Sequence, residues 1–224
     1  MKILSTIAVT CAALVLASTA SAINVTLTFI GTSDTTNFGY TSGQNVSFSI
    51  VLNDAVMTTQ TFASDLAVFQ DELVSANNDI FSSISGTGLT GAWVRPTLNE
   101  GDPYSRVSYS SSGNLYFIAD TDGDYGMGLS VSGTELTRIN FNVTLTDFAP
   151  SGLDSTTNPC TFLSSYAGTY DVSDTVRVDI NGVLNLFTFS QVQISAVPEP
   201  SQTAAFAGLG VLALAAWRRR RARA

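Results

Sequence analysis

The chain has 224 residues, 45% of them hydrophobic, with eighteen acidic residues, ten basic residues and no histidine. The lack of histidine excludes Ser-His-Asp triads, Cys-His pairs and histidine metal sites, and two cysteines are too few for a thiolate zinc site. Half of the basic residues lie in the last seven positions. Residues 23–196 therefore hold seventeen acidic but only four basic residues, a net charge of −13. This negative charge argues against nucleic acid as a partner.

The first 22 residues are typical of a secretory signal peptide. Lys2 supplies a positive start, Ile3 to Ala17 is apolar, and Ala20-Ser21-Ala22 matches the small-residue cleavage pattern. We therefore expect export and a mature chain that begins at Ile23. The alternative is a signal anchor that is retained.

Two-residue alternation of apolar and polar side chains recurs along residues 23–196 and predicts strands. The apolar positions of the clearest predicted strands are Ile23, Val25, Leu27 and Phe29; Val46, Phe48, Ile50 and Leu52; Ile139, Phe141, Val143 and Leu145; and Val176, Val178 and Ile180, opposite Arg177 and Asp179. Segments 107–109 and 115–118 are shorter candidates. After a predicted tight turn at Asn181-Gly182, a last region runs from Val183 to Ile194, and its slip of phase after Phe189 indicates a bulge or two strands.

One segment has helical spacing instead. Phe62, Leu66, Phe69 and Leu73 recur every three or four residues, with acidic residues and a glutamine between them. This spacing predicts one short amphipathic helix that covers an end of the sheets.

Strands with one apolar and one polar face, separated by Gly, Asn, Asp and Ser clusters, indicate an all-β fold, an antiparallel β-sandwich. A jelly-roll-like arrangement is our first interpretation, with the strand order left open. We expect a signal peptide at 1–22, a β-sandwich body at 23–196 and a tail at 197–224. Val192 to Pro200 is expected to act as the linker to the membrane.

Three carboxylates at alternate positions, Asp120, Asp122 and Asp124, stand in a glycine-containing stretch. Carboxylates are the ligands that calcium prefers, so this stretch predicts a weak calcium site. The EF-hand pattern is not met, because Tyr125 stands where that pattern has glycine. The alternative is an ordinary hairpin turn.

Aromatic and acidic residues in the middle of the chain offer two further candidate sites. Trp93, Tyr104 and Tyr109 are candidates for saccharide contact, although aromatic residues also fill sandwich cores. Glu100 and Asp102 are candidate carboxylates for glycoside hydrolysis, with a turn as the alternative.

Cys160 is the only cysteine of the expected mature chain, because Cys11 lies in the signal peptide. An internal disulfide is therefore excluded. Asn158-Pro159-Cys160 predicts a loop with an unused, partly buried thiol, and the alternatives are a reactive thiol or an intermolecular bridge.

The tail joins an extended peptide, a short apolar run and a block of arginines. Pro198 and Pro200 disfavour a helix at the start of the tail. The fifteen uncharged residues from Thr203 to Trp217 predict a transmembrane helix of about 23 Å, shorter than a hydrocarbon core of about 30 Å. Arg218 to Arg221 predict the cytoplasmic end, which leaves the body outside.

This combination resembles the PEP-CTERM sorting signal of Gram-negative bacteria. The residues that carry the resemblance are Val197, Pro198, Glu199, Pro200 and Ser201, Gly208 and Gly210 in the apolar run, and Arg218, Arg219, Arg220 and Arg221. The resemblance implies processing near Pro-Glu-Pro by an exosortase, a membrane transpeptidase-like enzyme. It also implies an association with exopolysaccharide and biofilm. The alternative is a plain C-terminal membrane anchor.

We therefore expect an exported, non-enzymatic protein that is anchored in the membrane by its C-terminus and then reaches the cell surface or medium. Its expected role is structural or adhesive, in the cell envelope or extracellular matrix. The first alternative is a carbohydrate-binding module, with calcium as the one cofactor considered, and the second is a carbohydrate-active enzyme that uses carboxylates. A cleft lined by Trp93, tyrosines and paired acids would favour the alternatives, and a flat polar surface over a filled core would favour the structural role.

Overall fold

The alternating segments form strands in the computed structural model, which describes residues 23–52, 59–63, 66–70, 81–94, 104–120, 126–151 and 159–198. The strands are β1 (Ile23–Ser33), β2 (Asn45–Leu52), β3 (Thr59–Ala63), β4 (Leu66–Gln70), β5 (Phe81–Gly86), β6 (Leu89–Gly91), β7 (Tyr104–Ser110), β8 (Asn114–Asp120), β9 (Leu129–Val131), β10 (Thr134–Glu135), β11 (Arg138–Leu145), β12 (Gly168–Ile180), β13 (Val183–Leu184) and β14 (Phe187–Pro198). A short helix, α1, spans Pro159–Ser164, and a 3-10 turn spans Asn37–Gly39.

Eleven of these strands form one antiparallel sheet that curls over on itself. Its order is β3-β4-β7-β8-β11-β12-β14-β1-β2-β5, with β13 beside β12. The long strand β12 makes the corner, because Gly168–Asp171 pairs with β14 whereas its later residues pair with β11. The curl gives two layers, which we call the first layer (β14, β1, β2 and β5) and the second layer (β3, β4, β7, β8 and β11). A small separate sheet has the order β10-β9-β6.

Phenylalanine rings join the two layers. The ring centroid of Phe29 in β1 lies 6.5 Å from that of Phe117 in β8 and 5.2 Å from that of Phe141 in β11. Phe48 of β2 also lies 5.2 Å from Phe141, and Phe81 of β5 lies 5.0 Å from Phe117. The layers therefore pack face to face over an aromatic core, which confirms the predicted antiparallel β-sandwich.

The alternation is confirmed in β1, β2 and β11, whose predicted inner positions with described side chains are buried: Val25, Leu27, Phe29, Val46, Phe48, Ile50, Leu52, Ile139, Phe141, Val143 and Leu145. In β12 the prediction is partly wrong. Asn142 of β11 pairs with Arg177 and the next residue, Val143, pairs with Thr175, so Val176 is the extra residue of a bulge. The bulge leaves Val176 51% exposed, whereas Asp179, predicted to face solvent, is 0% exposed.

The helix predicted from Phe62 to Leu73 is wrong. Thr59–Ala63 and Leu66–Gln70 are strands that pair with each other, and the second of them also pairs with β7. Ladder hydrogen bonds on both edges of β4, together with β-branched and aromatic residues, outweigh the helical spacing of the apolar positions. Leu73 lies outside the described residues.

The described helix lies where the sequence predicts a loop. Pro159 opens α1, a position where its missing N–H costs no helical hydrogen bond. Cys160 follows and is completely buried, more than the partial burial that the sequence suggested.

The last predicted strand region is two strands, β13 and β14. Within β14 the buried Phe189 and Val192 are separated by two residues, Ser190 and Gln191, that are not buried, which is the predicted slip of phase. Strand β14 continues to Pro198, so most of the segment from Val192 to Pro200, which is predicted to double as the linker to the membrane, belongs to a strand.

Residues Asn24–Ala196 form one compact unit. Within the part of the chain that the structure describes, no helix has the length and apolar character needed to cross a membrane. The predicted signal peptide and the predicted span from Thr203 to Trp217 lie outside the described residues.

Candidate functional site

Hydroxyl groups line much of the outer surface of β1, β2 and β5 in the first layer, beside Ile30 and Val51. In the register of β1, β2 and β5, Thr28 lies opposite Ser49, and Ser49 lies opposite Ser85. The hydroxyl oxygens of Thr28 and Ser49 are 3.1 Å apart. We call this surface the hydroxyl face and define it by Thr26, Thr28, Ser47, Ser49, Ser83 and Ser85. It carries no charged residue and offers donors and acceptors to any partner that lies across the strands.

A groove of about 580 Å³ opens next to the hydroxyl face. It is lined by Ile30, Gly31, Thr32, Asn45, Val46, Ser47, Thr87, Thr188 and Ser190. A Cβ atom on Gly31 would lie 2.7 Å from Phe189 Cα and would press on the Thr188 carbonyl, so glycine allows β1 and β14 to meet here. Hydroxyl and amide groups without charge suit the hydroxyl groups of neutral sugars.

The outer surface of the second layer and of β12 carries an ion network of Asp120, Arg138, Arg177 and Asp179, in which the two carboxylates are buried and the two arginines are partly exposed. The Nε atom of Arg138 lies 3.4 Å from an oxygen of Asp120 and 3.4 Å from an oxygen of Asp179. Nη2 of Arg177 donates to Asp179 Oδ2 at 3.0 Å. Two carboxylates thus face two guanidinium groups on neighbouring strands, and the network balances its own charge.

Three residues continue this polar surface across β7, β8 and β11. The guanidinium carbon of Arg106 lies 5.5 Å from the ring centre of Tyr116. Asn140, which is 1% exposed, donates from Nδ2 to the Tyr116 hydroxyl at 3.4 Å. These two contacts tie neighbouring strands together, which is a structural role.

Asp179 and Asn181 also hold the tight turn between β12 and β13. Asp179 Oδ1 accepts a hydrogen bond from the Gly182 N–H at 2.7 Å. Asn181, with a φ of 50°, accepts from the N–H groups of Thr137 and Arg138 at 2.8 and 3.1 Å. The turn predicted at Asn181-Gly182 is present. The role of Asp179 was missed, although an aspartate shortly before Asn-Gly signals side-chain support for a turn.

The predicted calcium residues are only partly placed. Asp120 lies at the end of β8 beside Arg138, and Asp122 and Asp124 lie outside the described residues. Among the side chains that the structure places, no three His, Cys, Asp or Glu residues are grouped to hold a metal ion. The calcium site stays a prediction. Arg138 places a positive charge beside Asp120, which should lower the affinity of such a site for calcium.

The predicted saccharide platform is wrong at Tyr109. Its side chain is fully buried and its ring stacks on Phe162, with centroids 5.4 Å apart. Burial, and to a smaller extent Tyr166, raises the pKa of Tyr109, so the phenol stays neutral inside the core. Trp93 is partly exposed and packs edge-on against Phe81 at 5.8 Å. The side chain of Tyr104 lies outside the described residues, as do Glu100 and Asp102.

The C-terminal motif begins inside the last strand. Val197 and Pro198 are the final residues of β14, and Glu199, Pro200, Ser201 and the arginine block lie outside the described residues. A family model described as a PEP-CTERM protein-sorting motif matches residues 196–221. No curated protein and no solved structure matches the chain.

Proposed function

We propose that this PEP-CTERM protein, which its sorting motif marks as exported, C-terminally anchored and sorted through an exosortase, is a structural or adhesive component of the cell surface or extracellular matrix. After processing, the body leaves the membrane and contributes to biofilm through its surface. Its role is non-enzymatic, and it requires no cofactor.

The observation that supports this role best is the hydroxyl face above the aromatic core. The core between the layers is occupied by packed phenylalanine rings, and the outer surface of the first layer presents rows of hydroxyl groups. Such a surface makes many weak hydrogen bonds to a polar partner without a cleft. The buried carboxylates Asp120 and Asp179 both face Arg138, which supports a structural rather than catalytic use.

Deletion and complementation in the native host test the proposal. Loss of the protein should weaken surface attachment and cell cohesion, and the wild-type chain should restore both. The double variant Thr28→Glu and Ser85→Glu places two carboxylates on the hydroxyl face and should restore less than half of the attachment. The matched control, Ser111→Glu and Ser173→Glu at exposed positions elsewhere, should restore it fully. Attachment that does not change on deletion would contradict the adhesive role.

The groove favours a second candidate function, the binding of exopolysaccharide. Its lining is uncharged and combines hydroxyl and amide groups with the apolar Ile30 and Val46, which favours neutral over acidic polysaccharides. Pull-down of the released protein on both polymer classes, with and without calcium, tests this candidate. Asn45→Trp, which fills the groove, should abolish retention on the neutral polymer and leave the fold unchanged.

A further inference from the structure

The groove beside the hydroxyl face has an apolar side chain with polar groups on both sides of it. Ile30 of β1 lies opposite Ser47 of β2 in the register. The next pair on the same face of the sheet is Thr32 with Asn45. On the other side of β1, the Ser190 hydroxyl of β14 donates to the Ile30 carbonyl at 3.3 Å. Because Ile30 is partly exposed, the groove suits a ligand that brings an apolar group as well as polar groups.

The hydroxyl groups on the β14 side of the groove already use their protons within the protein. Thr188 Oγ1 donates to Asp34 Oδ2 at 2.7 Å, and Ser190 Oγ donates to the carbonyl of Ile30. A hydroxyl that donates its one proton keeps lone pairs for a second partner. This side of the groove therefore accepts hydrogen bonds, which an N–H or O–H group of a ligand can donate.

The β2 side of the groove supplies a hydrogen-bond donor. Asn45 is exposed, and its side chain makes no hydrogen bond to any residue that the structure describes. Its Nδ2 group has two protons to donate. Asn45 lies diagonally across from Ile30 in the register, a separation that a long side chain can span. A carbonyl oxygen of a ligand that rests on Ile30 is a suitable acceptor for this amide.

An N-acetyl group meets these three requirements together. Its amide is planar and trans, so its N–H and C=O point in opposite directions, with a methyl group beside the carbonyl. The N–H can donate towards Ser190 while the C=O accepts from Asn45, because these two residues flank Ile30 from opposite sides. The methyl group then covers the apolar side chain of Ile30. A sugar that carries only hydroxyl groups has no methyl group to bury there.

We propose that the groove binds the N-acetyl group of an amino-sugar unit in a neutral polysaccharide. This assignment rests on the second candidate function, exopolysaccharide binding, and names the class of sugar. Further units of the polymer contact the hydroxyl face, which continues from Ser47 to Thr28 and Ser49. Asp34 at one end of the groove and the net charge of −13 on residues 23–196 disfavour a polymer that bears carboxylates.

A peptide offers the same amide groups, but this part of the sheet gives it less to bind. Strand β1 lies between β14 and β2, so its main-chain groups face strands that are already in the sheet. A peptide cannot add a strand here, and main-chain pairing is the usual source of its affinity for a sheet. The hydroxyl face beside the groove instead suits the many hydroxyl groups of further sugar units.

Calorimetry on the released protein, collected from the medium of the native host, tests the assignment. The probes are oligomers of N-acetylglucosamine, glucosamine and glucose that have the same length and linkage. The N-acetylated oligomer should bind at least tenfold more tightly than the glucose oligomer, and saturation-transfer NMR should give its strongest signal at the acetyl methyl group. The glucosamine oligomer is a polycation that the acidic body attracts, so its binding should disappear at about 1 M salt, whereas that of the N-acetylated oligomer should persist.

Two variants and a matched control test the residues. Ile30→Thr removes the apolar contact, and Asn45→Ala removes the donor at an exposed position. Each should weaken binding of the N-acetylated oligomer at least fivefold, and Ile30→Thr should leave binding of the glucose oligomer unchanged. Val51→Thr makes the same kind of change on the outer face of β2, outside the groove, and should bind as the wild type does. Melting temperatures close to that of the wild type confirm that all three variants are folded.

The outcomes separate this assignment from exopolysaccharide binding itself. Equal affinities for the N-acetylated and glucose oligomers, or no binding of the N-acetylated oligomer by a protein that is retained on neutral exopolysaccharide, would overturn the assignment alone. Loss of retention on every polymer would overturn both. An N-acetylated alanine peptide that binds as tightly as the N-acetylated oligomer would assign the groove to a protein partner and would also overturn the proposal.

Discussion

The carboxylate of Asp179 accepts a 2.7 Å hydrogen bond from the backbone N–H of Gly182, three residues further along the chain. Its second oxygen contacts Arg177 and Arg138, so one side chain in β12 supports a turn and links β12 to β11. The side chain of Asp179 is 1% exposed, whereas the two arginines keep 45% and 31% exposure. The carboxylate is therefore the buried member of the network, and its loss should cost more than the loss of either arginine.

Asp179→Ala should lower the free energy of unfolding by about 2–4 kcal/mol, because it removes a charged acceptor from a buried turn and leaves two guanidinium groups without that partner. Asp174→Ala, at an exposed position of the same strand, should change it by less than about 0.5 kcal/mol. Urea denaturation followed by circular dichroism measures both. A cost below 1 kcal/mol for Asp179→Ala would show that the network is not needed for stability.

Gly31→Ala should destabilise the body by about 1–3 kcal/mol, because the new Cβ meets the backbone of Thr188 and Phe189 and pushes β1 from β14. Gly168→Ala is the matched control, since a Cβ there would lie 3.7 Å from its nearest neighbour, the ring of Tyr170. The control should melt within about 2 °C of the wild type. Equal melting temperatures for the two variants would contradict the close approach of the strands.

Ionisation of Tyr40 should lower the free energy of unfolding at alkaline pH. Burial raises the pKa of Tyr40 from 10.0 to about 12, and its hydroxyl donates to the Thr87 carbonyl at 2.7 Å. The folded state therefore holds the phenolic proton more tightly than the unfolded state does. The stability from this difference is complete below pH 10 and is lost as the pH rises through about 12.

Tyr40→Phe should cost about 1 kcal/mol at pH 7 through the lost hydrogen bond and should flatten the decline above pH 10. Thermal melts from pH 7 to pH 12 measure both effects. A wild-type melting temperature that stays constant between pH 10 and pH 12, or an unchanged slope in Tyr40→Phe, would contradict the role given to this residue.

Much of the fold could be predicted from the sequence, because alternation reports directly on which face of a strand is buried. That rule worked in β1, β2 and β11, where β1 pairs with β2 and β11 pairs with β8 without a register shift. It failed at Val176, since a bulge changes the phase of the strand and depends on the register with β11. It also failed for the helix predicted from Phe62 to Leu73. The apolar spacing there is that of a helix, but Leu66–Gln70 forms a strand because it pairs with β7.

The candidate site was harder to predict, because it depends on contacts between distant segments. The aromatic ring of Tyr109 looks the same in sequence whether it binds a sugar or fills the core, and only its stacking on Phe162 decides. Asp179 stands at a polar position of an alternating strand, and nothing local indicates its burial among Arg138 and Arg177. The sorting motif was predictable, because its recognition depends on local order along the chain and not on folding.

Calcium should raise the melting temperature by no more than a few degrees, with half of the effect at about 0.1–1 mM. Asp122→Asn should abolish the rise, and Asp171→Asn, at an exposed position on β12, should not. Arg138→Gln should strengthen calcium binding, because it removes the cation beside Asp120. Magnesium at the same concentration controls for general screening of the acidic body. Equal responses of the Asp122 and Asp171 variants would mean that the segment with Asp120, Asp122 and Asp124 binds no calcium and is only a turn.

Glu199→Ala should leave an unprocessed form in the membrane fraction of a host that has an exosortase. The carboxylate lies in the motif that the enzyme is expected to recognise, so its loss should cut release at least tenfold. Glu135→Ala, which removes a carboxylate from the body, should be released as the wild type is. Immunoblots of membrane, surface and medium fractions give the measurement. Normal release of Glu199→Ala would favour a plain membrane anchor.

Retention of the released protein on a biofilm that lacks it tests the adhesive role most directly. Beads coated with protein collected from the medium of the native host are washed over a biofilm of the deletion strain, and both the bound beads and the chain length of the matrix polysaccharide are measured. We predict firm retention, a loss of more than half of it with Thr28→Glu and Ser85→Glu on the hydroxyl face, and no change in polymer length. Beads that wash off as freely as uncoated ones, or a polymer that is shortened, would contradict the account.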